Sequence, residues 1–370
     1  MKRILISARP TLAFALLALL TGCQSFYLIE QGFKNRGVMG EAVEIETSPT
    51  GEIHVEGTDL DDDKQGKLRL IAEIREFAAS ELGLDVGDAY TTYYQVPDGA
   101  ISHVVVAAHP LALAPYEWRF PIVGRVTYKG FFDREDAEAE RDRLRDEGWD
   151  THMGPVAAFS SLGWFDDPVL STMLEYTDGD LADVIIHELA HRTVYFQNAT
   201  DVNESMASVI GKRGAQLFLV TRYGEHSEQL DEFDALCASR ATYREILRRL
   251  RFDLDALYRS NLADEQKLSR KEELFANASR LLYPDAENPE SAIAPSNAFI
   301  IARKQYSDHV ALFREVLAIF GGEPTRMMAF LKSLPESEDP LPALRDLASK
   351  NRSQTVSSTH GIRRDDPDLY

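Results

Sequence analysis

Leu181-Ala182-Asp183-Val184-Ile185-Ile186-His187-Glu188-Leu189-Ala190-His191 is the stretch from which the rest of this chain is read. Its apolar spacing predicts a helix, and it ends in an H-E-x-x-H run. On a helix, positions four apart share a face. His187 and His191 can therefore direct their imidazoles at one metal ion, and Glu188 sits one step round, able to reach a metal-bound water without ligating the metal.

Two histidines leave a zinc site incomplete. A catalytic zinc takes three protein ligands and keeps its fourth position for water. The best third candidate is Glu204, in Asp201-Val202-Asn203-Glu204-Ser205. A second helix is expected from Glu204 to Val220, with Asp201 or Asn203 as its cap and Gly211 and Gly214 as its only breakers. The connection Gln197-Asn198-Ala199-Thr200-Asp201 is polar and short, so the two helices should lie antiparallel and turn Glu204 back toward the histidines. A structural zinc site would instead close with four protein ligands, often cysteines, and no cysteine lies near.

The roles follow from charge. Zinc lowers the pKa of its water toward neutrality, and Glu188 takes the proton as that water attacks a carbonyl, then hands it to the leaving amine. A further donor normally assists the developing oxyanion. Tyr306 is the first candidate, with Tyr176 and Tyr258 behind it. The predicted cofactor is Zn2+ and the predicted substrate a peptide.

The amino terminus bears on compartment. Lys2, Arg3 and Arg9 precede an apolar stretch from Thr11 to Leu20, too short to span a bilayer as a helix. It ends at Leu20-Thr21-Gly22-Cys23, which resembles a bacterial lipobox. Residues 1–22 are then a signal peptide and Cys23 the lipidated residue, anchoring the protein to the envelope and facing the periplasm. Gln24, by resemblance to lipoproteins whose second residue is not Asp, favours the outer membrane. Loss of residues 1–22 removes three positive side chains, so the formal charge moves from −20 to −23. This acid excess argues against nucleic acid as a partner and against electrostatic docking on anionic lipid. Cys237 is the only other cysteine, so no disulfide within the lipidated chain is expected.

The remaining residues are ample for a substantial core. An amphipathic helix is expected from Lys67 to Leu82, stopped by Gly83. Strands are expected at Tyr90–Val96, Ile101–Ala108, Trp118–Phe120, Gly124–Tyr128 and Val156–Ser160, the last continued by Leu162–Phe165, with a charged helix at Asp133–Asp146. Beyond Asp180 the pattern is helical: Leu230–Tyr258, Glu265–Leu282, Ala298–Phe320 and Pro324–Leu334. One metallopeptidase domain is predicted over 23–349, sheet-rich over about 84–168 and helical over about 169–349, with a flexible tail at 350–370. The order suits an α+β, zincin-like fold in which substrate lies beside an edge strand. Ser161-Leu162-Gly163-Trp164-Phe165 is the candidate for that strand, or an ordinary strand with a packed Trp164.

Several stretches carry a wider resemblance: Glu73-Ile74-Arg75-Glu76-Phe77-Ala78, Leu82-Gly83-Leu84, Phe120-Pro121, Tyr128-Lys129-Gly130-Phe131-Phe132, Ser161 to Pro168, the H-E-x-x-H run, Asn203-Glu204-Ser205, Asn297-Ala298 and Tyr306. Together they resemble the bacterial predicted aminopeptidases of the zinc-peptidase type, often lipoproteins. The resemblance implies peptide hydrolysis from the amino end. Asn203-Glu204 is similar to the second motif of the gluzincins, the group that includes thermolysin, although the gap to the third ligand is shorter. The Asp that thermolysin-like enzymes place four residues after that Glu is Ser208 here. Asp183 could replace it as the partner that orients a ligating histidine, or could be a helix first-turn acid.

An aminopeptidase also needs a carboxylate for the substrate ammonium, and Asp166 and Asp167 are available. Without one, endopeptidase or oligopeptidase is the better description. The competing class is a non-enzymatic envelope lipoprotein that keeps zinc as part of a binding module, which would have no chemical need for Glu188.

Overall fold

The structure, a computed structural model, describes residues 41–48, 52–96, 102–120, 124–156, 166–289, 292, 294–303, 309–336 and 338–360. Its strands are β1 (Val43–Thr47), β2 (Ile53–Val55), β3 (Thr92–Tyr94), β4 (Ser102–Ala108), β5 (Trp118–Phe120), β6 (Gly124–Val126), β7 (Lys129–Phe131), β8 (Asp150–Val156) and β9 (Val169–Leu170). Its helices are α1 (Asp62–Ser80), α2 (Arg134–Asp146), α3 (Asp178–Thr193), α4 (Thr200–Tyr223), α5 (Glu228–Arg259), α6 (Asp264–Leu282), α7 (Asn297–Ala302), α8 (Val310–Ile319), α9 (Pro324–Lys332) and α10 (Leu341–His360). The class is α+β with a mostly helical second half. The strands form three small sheets, ordered β2-β1-β3-β9, β7-β4-β8 and β5-β6. Two compact units interleave along the chain. One comprises Met1–Ala42, Tyr94–Phe159 and Ala238–Lys304, the other Val43–Tyr93, Ser160–Cys237 and Gln305–Tyr370.

In the first unit, β4 pairs antiparallel with β7 and β8, Val105 lying opposite both Lys129 and Met153. Alternate residues of a strand point to opposite faces. Val105 and Ala107 join Trp118, Phe131, Ala137 and Leu144 on one side, while Val106 and Ala108 meet Ala298 of α7 on the other. A strand covered on both faces reads as a continuous apolar run, which is why 104–108 is Val-Val-Val-Ala-Ala. A buried polar latch joins this sheet to the helices. Asp150 accepts from Lys271 Nζ at 2.5 Å and from the Asn297 backbone N–H at 2.7 Å. The Asn297 amide donates to the carbonyls of His109, Pro110 and Ala112, and its oxygen accepts from the Tyr258 hydroxyl at 2.8 Å.

In the second unit, α1 begins at Asp62, five residues earlier than expected. Asp61 Oδ1 accepts the Lys64 N–H at 2.9 Å, and Asp62 and Asp63 fill the first turn, where negative charge meets the positive end of the helix dipole. The acidic triplet Asp61-Asp62-Asp63 is thus a helix start. Gly83, at φ +66°, follows the helix as expected. Further differences concern extent. The strand placed at Val156–Ser160 runs earlier, as β8; residues 157–165, with the candidate edge strand, lie outside the described set. The helix read across Ala298–Phe320 is two, α7 and α8. The segment from residue 350, read as a flexible tail, is helical through His360. No helix among the described residues is long and apolar enough to cross a membrane.

One titration belongs to the first unit. His152 Nε2 lies 3.1 Å from Arg303 Nη1, and its ring packs edge-on against Phe299. Burial and then the Arg303 charge push its pKa down to about 4. A depressed histidine leaves the unfolded chain binding more protons between the ordinary value and the folded one, so stability falls as pH drops from about 6.5 to about 4. Urea unfolding at pH 7.5 and pH 4.5 should show a smaller acid loss for His152→Gln than for the wild type.

Candidate metal centre

α3 carries the histidines because its sequence starts and faces inward well. Thr177 Oγ1 accepts the Asp180 N–H at the N-cap, and Leu181, Ile185, Leu189 and Ala190 are buried. Residues 194–199 return the chain into α4. The caps expected there do not form: Ala199 holds the N-cap position without a side-chain bond, so Glu204 stands in the second turn of α4 and not at its start. Asn203 has a different task. It is buried, its Oδ1 accepts the Phe196 N–H at 2.9 Å, and its Nδ2 donates to the Phe196 carbonyl at 2.8 Å. This paired bond fixes the connecting turn one residue before the candidate ligand.

Gly211 and Gly214, read from sequence as breakers, are where α4 meets α3. A Cβ on Gly211 would stand 2.6 Å from Asp183 Oδ1, 2.8 Å from the Asp183 carbonyl and 3.0 Å from His187 Cβ. One on Gly214 would meet Ile186 Cγ2 at 2.8 Å. Backbone approach this close is open only to glycine. With Gly211 opposite Asp183 and Glu204 opposite His191, the helices run antiparallel, as their short connection predicts.

The outcome is a three-cornered donor set. His187 Nε2 lies 3.2 Å from His191 Nε2, Glu204 Oε2 lies 3.5 Å from His187 Nε2, and Glu204 Oε1 lies 3.4 Å from His191 Nε2. Tetrahedral zinc with bonds of roughly 2.0–2.1 Å would separate its ligands by about 3.4 Å. The three residues form a group that could bind a metal ion. Their electrostatics call for positive charge at the centre. Burial pushes Glu204 up, but hydrogen bonds to His187 and His191 and their charges bring it down to about 2, so it is a carboxylate. Burial likewise opposes a proton on His187, yet Glu204, Glu188 and Asp183 raise its pKa. A divalent cation would take the place of that proton.

Glu188 is not among the three, and its Oε2 is buried with no hydrogen-bond partner among the described residues. Asp183 lies in the second turn of α3, the first-turn acids being Asp178 and Asp180, and it contributes to the field at His187. Ser208 is exposed and takes no part. His191 Nδ1 is buried without a partner among the described residues.

The other candidates separate. Tyr258 spends its hydroxyl on Asn297 in the other unit. Tyr176 stands just before the N-cap of α3, at the opposite end of that helix from the H-E-x-x-H run. Tyr306 and Cys23 lie outside the described residues. Asp166 is engaged, its Oδ1 accepting from Arg192 Nη1 at 2.8 Å and from the Asp88 N–H at 3.2 Å. Asp167 is buried, and its carbonyl accepts the Tyr90 N–H at 2.6 Å. Sequence reading missed Asn203 as a brace and the two glycines as contact points. Only the glycines left a signal, a Gly-x-x-Gly spacing on one helix face.

A family model described as "Putative aminopeptidase" matches residues 27–341. No curated protein and no solved structure matches the chain.

Two measurements test the geometry. Gly211→Ala should cost about 1–3 kcal/mol in urea unfolding, because its Cβ meets backbone, and should also raise the zinc dissociation constant. Glu204→Ala should weaken zinc binding by more than the roughly 10–100-fold typical of losing an outer partner, read by competition with a chromophoric chelator.

Proposed function

The chain belongs to this aminopeptidase family, and from that premise we propose that it is a zinc-dependent peptidase with a zincin-like, gluzincin-type centre on α3 and α4. The observation that carries the proposal is the 3.2–3.5 Å triangle of His187, His191 and Glu204, with Glu188 beside it and unpaired. The family name implies peptide substrates; zinc is inferred from the donor set.

His187, His191 and Glu204 would hold the ion, two neutral imidazoles and one carboxylate being a typical catalytic zinc set. Bound zinc supplies Lewis acidity and brings the pKa of water toward neutrality. The protein does the rest. Glu188 accepts a proton from the attacking water and returns it to the amine that leaves, which needs a carboxylate free of other partners. The side chains of His187, Glu204 and His191 are 21%, 25% and 1% exposed, so the centre is partly withdrawn from water and its charges act more strongly. The reading extends to location: the lipobox at Leu20-Thr21-Gly22-Cys23 supports a lipid anchor at Cys23, with the enzyme on the periplasmic side of the outer membrane. One observation favours a second reading of cleavage mode. Arg192 pairs with Asp166 and offsets the charge that a substrate ammonium would seek there, and oligopeptidase or endopeptidase action stands as the alternative.

A peptide-library digest by wild type and Glu188→Gln tests this. Glu188→Gln should retain one zinc per chain and lose at least about 10²-fold in kcat, and product termini will separate exo- from endo-cleavage. If both proteins bind zinc and neither cleaves, the chain is a binding module.

A further inference from the structure

The first unit holds a positioned guanidinium without a matching acid. Arg303 directly follows α7 and is half-buried. Its guanidinium carbon stands 3.8 Å from the centroid of the Phe299 ring, and its Nη1 donates to His152 Nε2 at 3.1 Å. Arginine has no acceptor atom, so His152 presents a lone pair there, as a neutral ring does. Burial and the Arg303 charge keep that ring neutral at neutral pH. The His152 ring meets Phe299 edge-on, and the Tyr243 hydroxyl of α5 interacts with Arg303 and with Tyr283.

The chain carries 60 acidic and 40 basic side chains, and arginines elsewhere are matched: Arg125 with Glu117, Arg143 with Glu140, Arg192 with Asp166. No carboxylate among the described residues pairs with Arg303. A guanidinium has five N–H donors, and His152 and Tyr243 engage only part of the fork. Withdrawing a charge from water is costly unless a partner compensates it.

There is room beside this arginine. His152 and Gly154 lie two apart on β8, hence on one face of the sheet, opposite Val106 and Val104 of β4. Where Val106 and Ala108 meet Ala298 of α7, that face is buried. At Val104 and Gly154 the cover thins, and both are half-exposed. Among the described residues, a Cβ on Gly154 would meet only His152 Nε2, at 3.5 Å. Glycine inside a strand leaves space for a ligand to approach the backbone.

We propose that Arg303, oriented by His152 and Phe299 beside Gly154, binds the carboxylate of a monoanionic ligand with an apolar body. The guanidinium fork matches a planar carboxylate through two parallel N–H···O bonds. One positive charge, in a chain of formal charge −20, balances a monoanion and leaves a phosphate dianion half unmatched. Val104 and Ile301, both partly buried, supply apolar surface for the rest of the ligand. The site lies within the first unit and does not depend on the peptidase reading. A small organic acid and the carboxyl end of a peptide offer the same chemistry.

The test uses the full chain supplied with zinc and carrying Glu188→Gln, so that no peptide is consumed. 3-Phenylpropanoate stands for the small acid and Ala-Ala-Phe for the peptide end. Each is titrated by calorimetry beside its amide, with inorganic phosphate as a third probe. At least one acid should bind about tenfold or more tighter than its amide, and adding Arg303→Gln should abolish that preference, as expected for loss of a hydrogen bond to a charged group. The tighter acid names the source. Arg303→Lys keeps the charge without the fork and should also weaken binding; it decides the matter if Arg303→Gln does not fold. Gly154→Val fills the space beside His152 with a residue that suits a strand, and should weaken binding at an unchanged urea midpoint. Equal affinity for acid and amide overturns the proposal. So does an acid preference that survives Arg303→Gln, as binding at zinc would, or phosphate binding tighter than either acid. Full binding by Gly154→Val overturns it too, because the ligand would then sit elsewhere.

Discussion

The close approach of α4 to α3 at Gly211 and Gly214 is the constraint on which the candidate centre depends. Two of the candidate ligands come from one helix and one from the other, so the separation of the helices sets the size of the triangle. Zinc tolerates little variation in bond length. A methyl group at either glycine would press on Asp183, His187 or Ile186 and part the helices. Rotation and register need a further control, and Asn203 supplies it by binding both polar atoms of Phe196 in the connection. Spacing comes from absent side chains and register from one present amide.

Polar groups are used in two different ways. In the first, Asp150, Lys271, Asn297 and Tyr258 close on one another and on three carbonyls. Such a network specifies an arrangement and offers nothing to a visitor. Around α3 the balance is open: Glu188 Oε2 and His191 Nδ1 are buried without partners among the described residues. Unsatisfied buried groups are costly, and a chain retains them where something else is to be bound.

How much of this was legible in the sequence follows from the range of the interactions. The H-E-x-x-H geometry is a local matter of helical period, and Glu204 lies one short connection away, so the donor set could be read before any coordinates. Helix termini were less legible. Asp61 as cap was hidden in an acidic run, and the expected caps at Asp201 and Asn203 lost to a tertiary demand, the bracing of Phe196. The subdivision of the sheet could not be seen, because the pairing of short strands is decided by distant partners. The turn that holds Tyr90 at positive φ was least visible. Its placement needs Arg75, Asp85, Gly87, Asp166, Arg192 and Thr193 together, from three separated segments, and no pattern of composition or spacing announces it.

The interleaving of the two units has a consequence for biosynthesis. The unit that contains His187, His191 and Glu204 draws on Val43–Tyr93 near the front of the chain and on Gln305–Tyr370 at its end. Its parts emerge from the ribosome far apart in time, and the intervening Ala238–Lys304 belongs to the other unit. Loop closure over such separations is slow. The helix pair can form early from adjacent segments, but its supporting shell is finished only once Gln305–Tyr370 has been made. A metal ion held at this centre would on this account be acquired after synthesis, and the segment Gln305–Tyr370, remote from the candidate ligands in sequence, would be part of what readies the site.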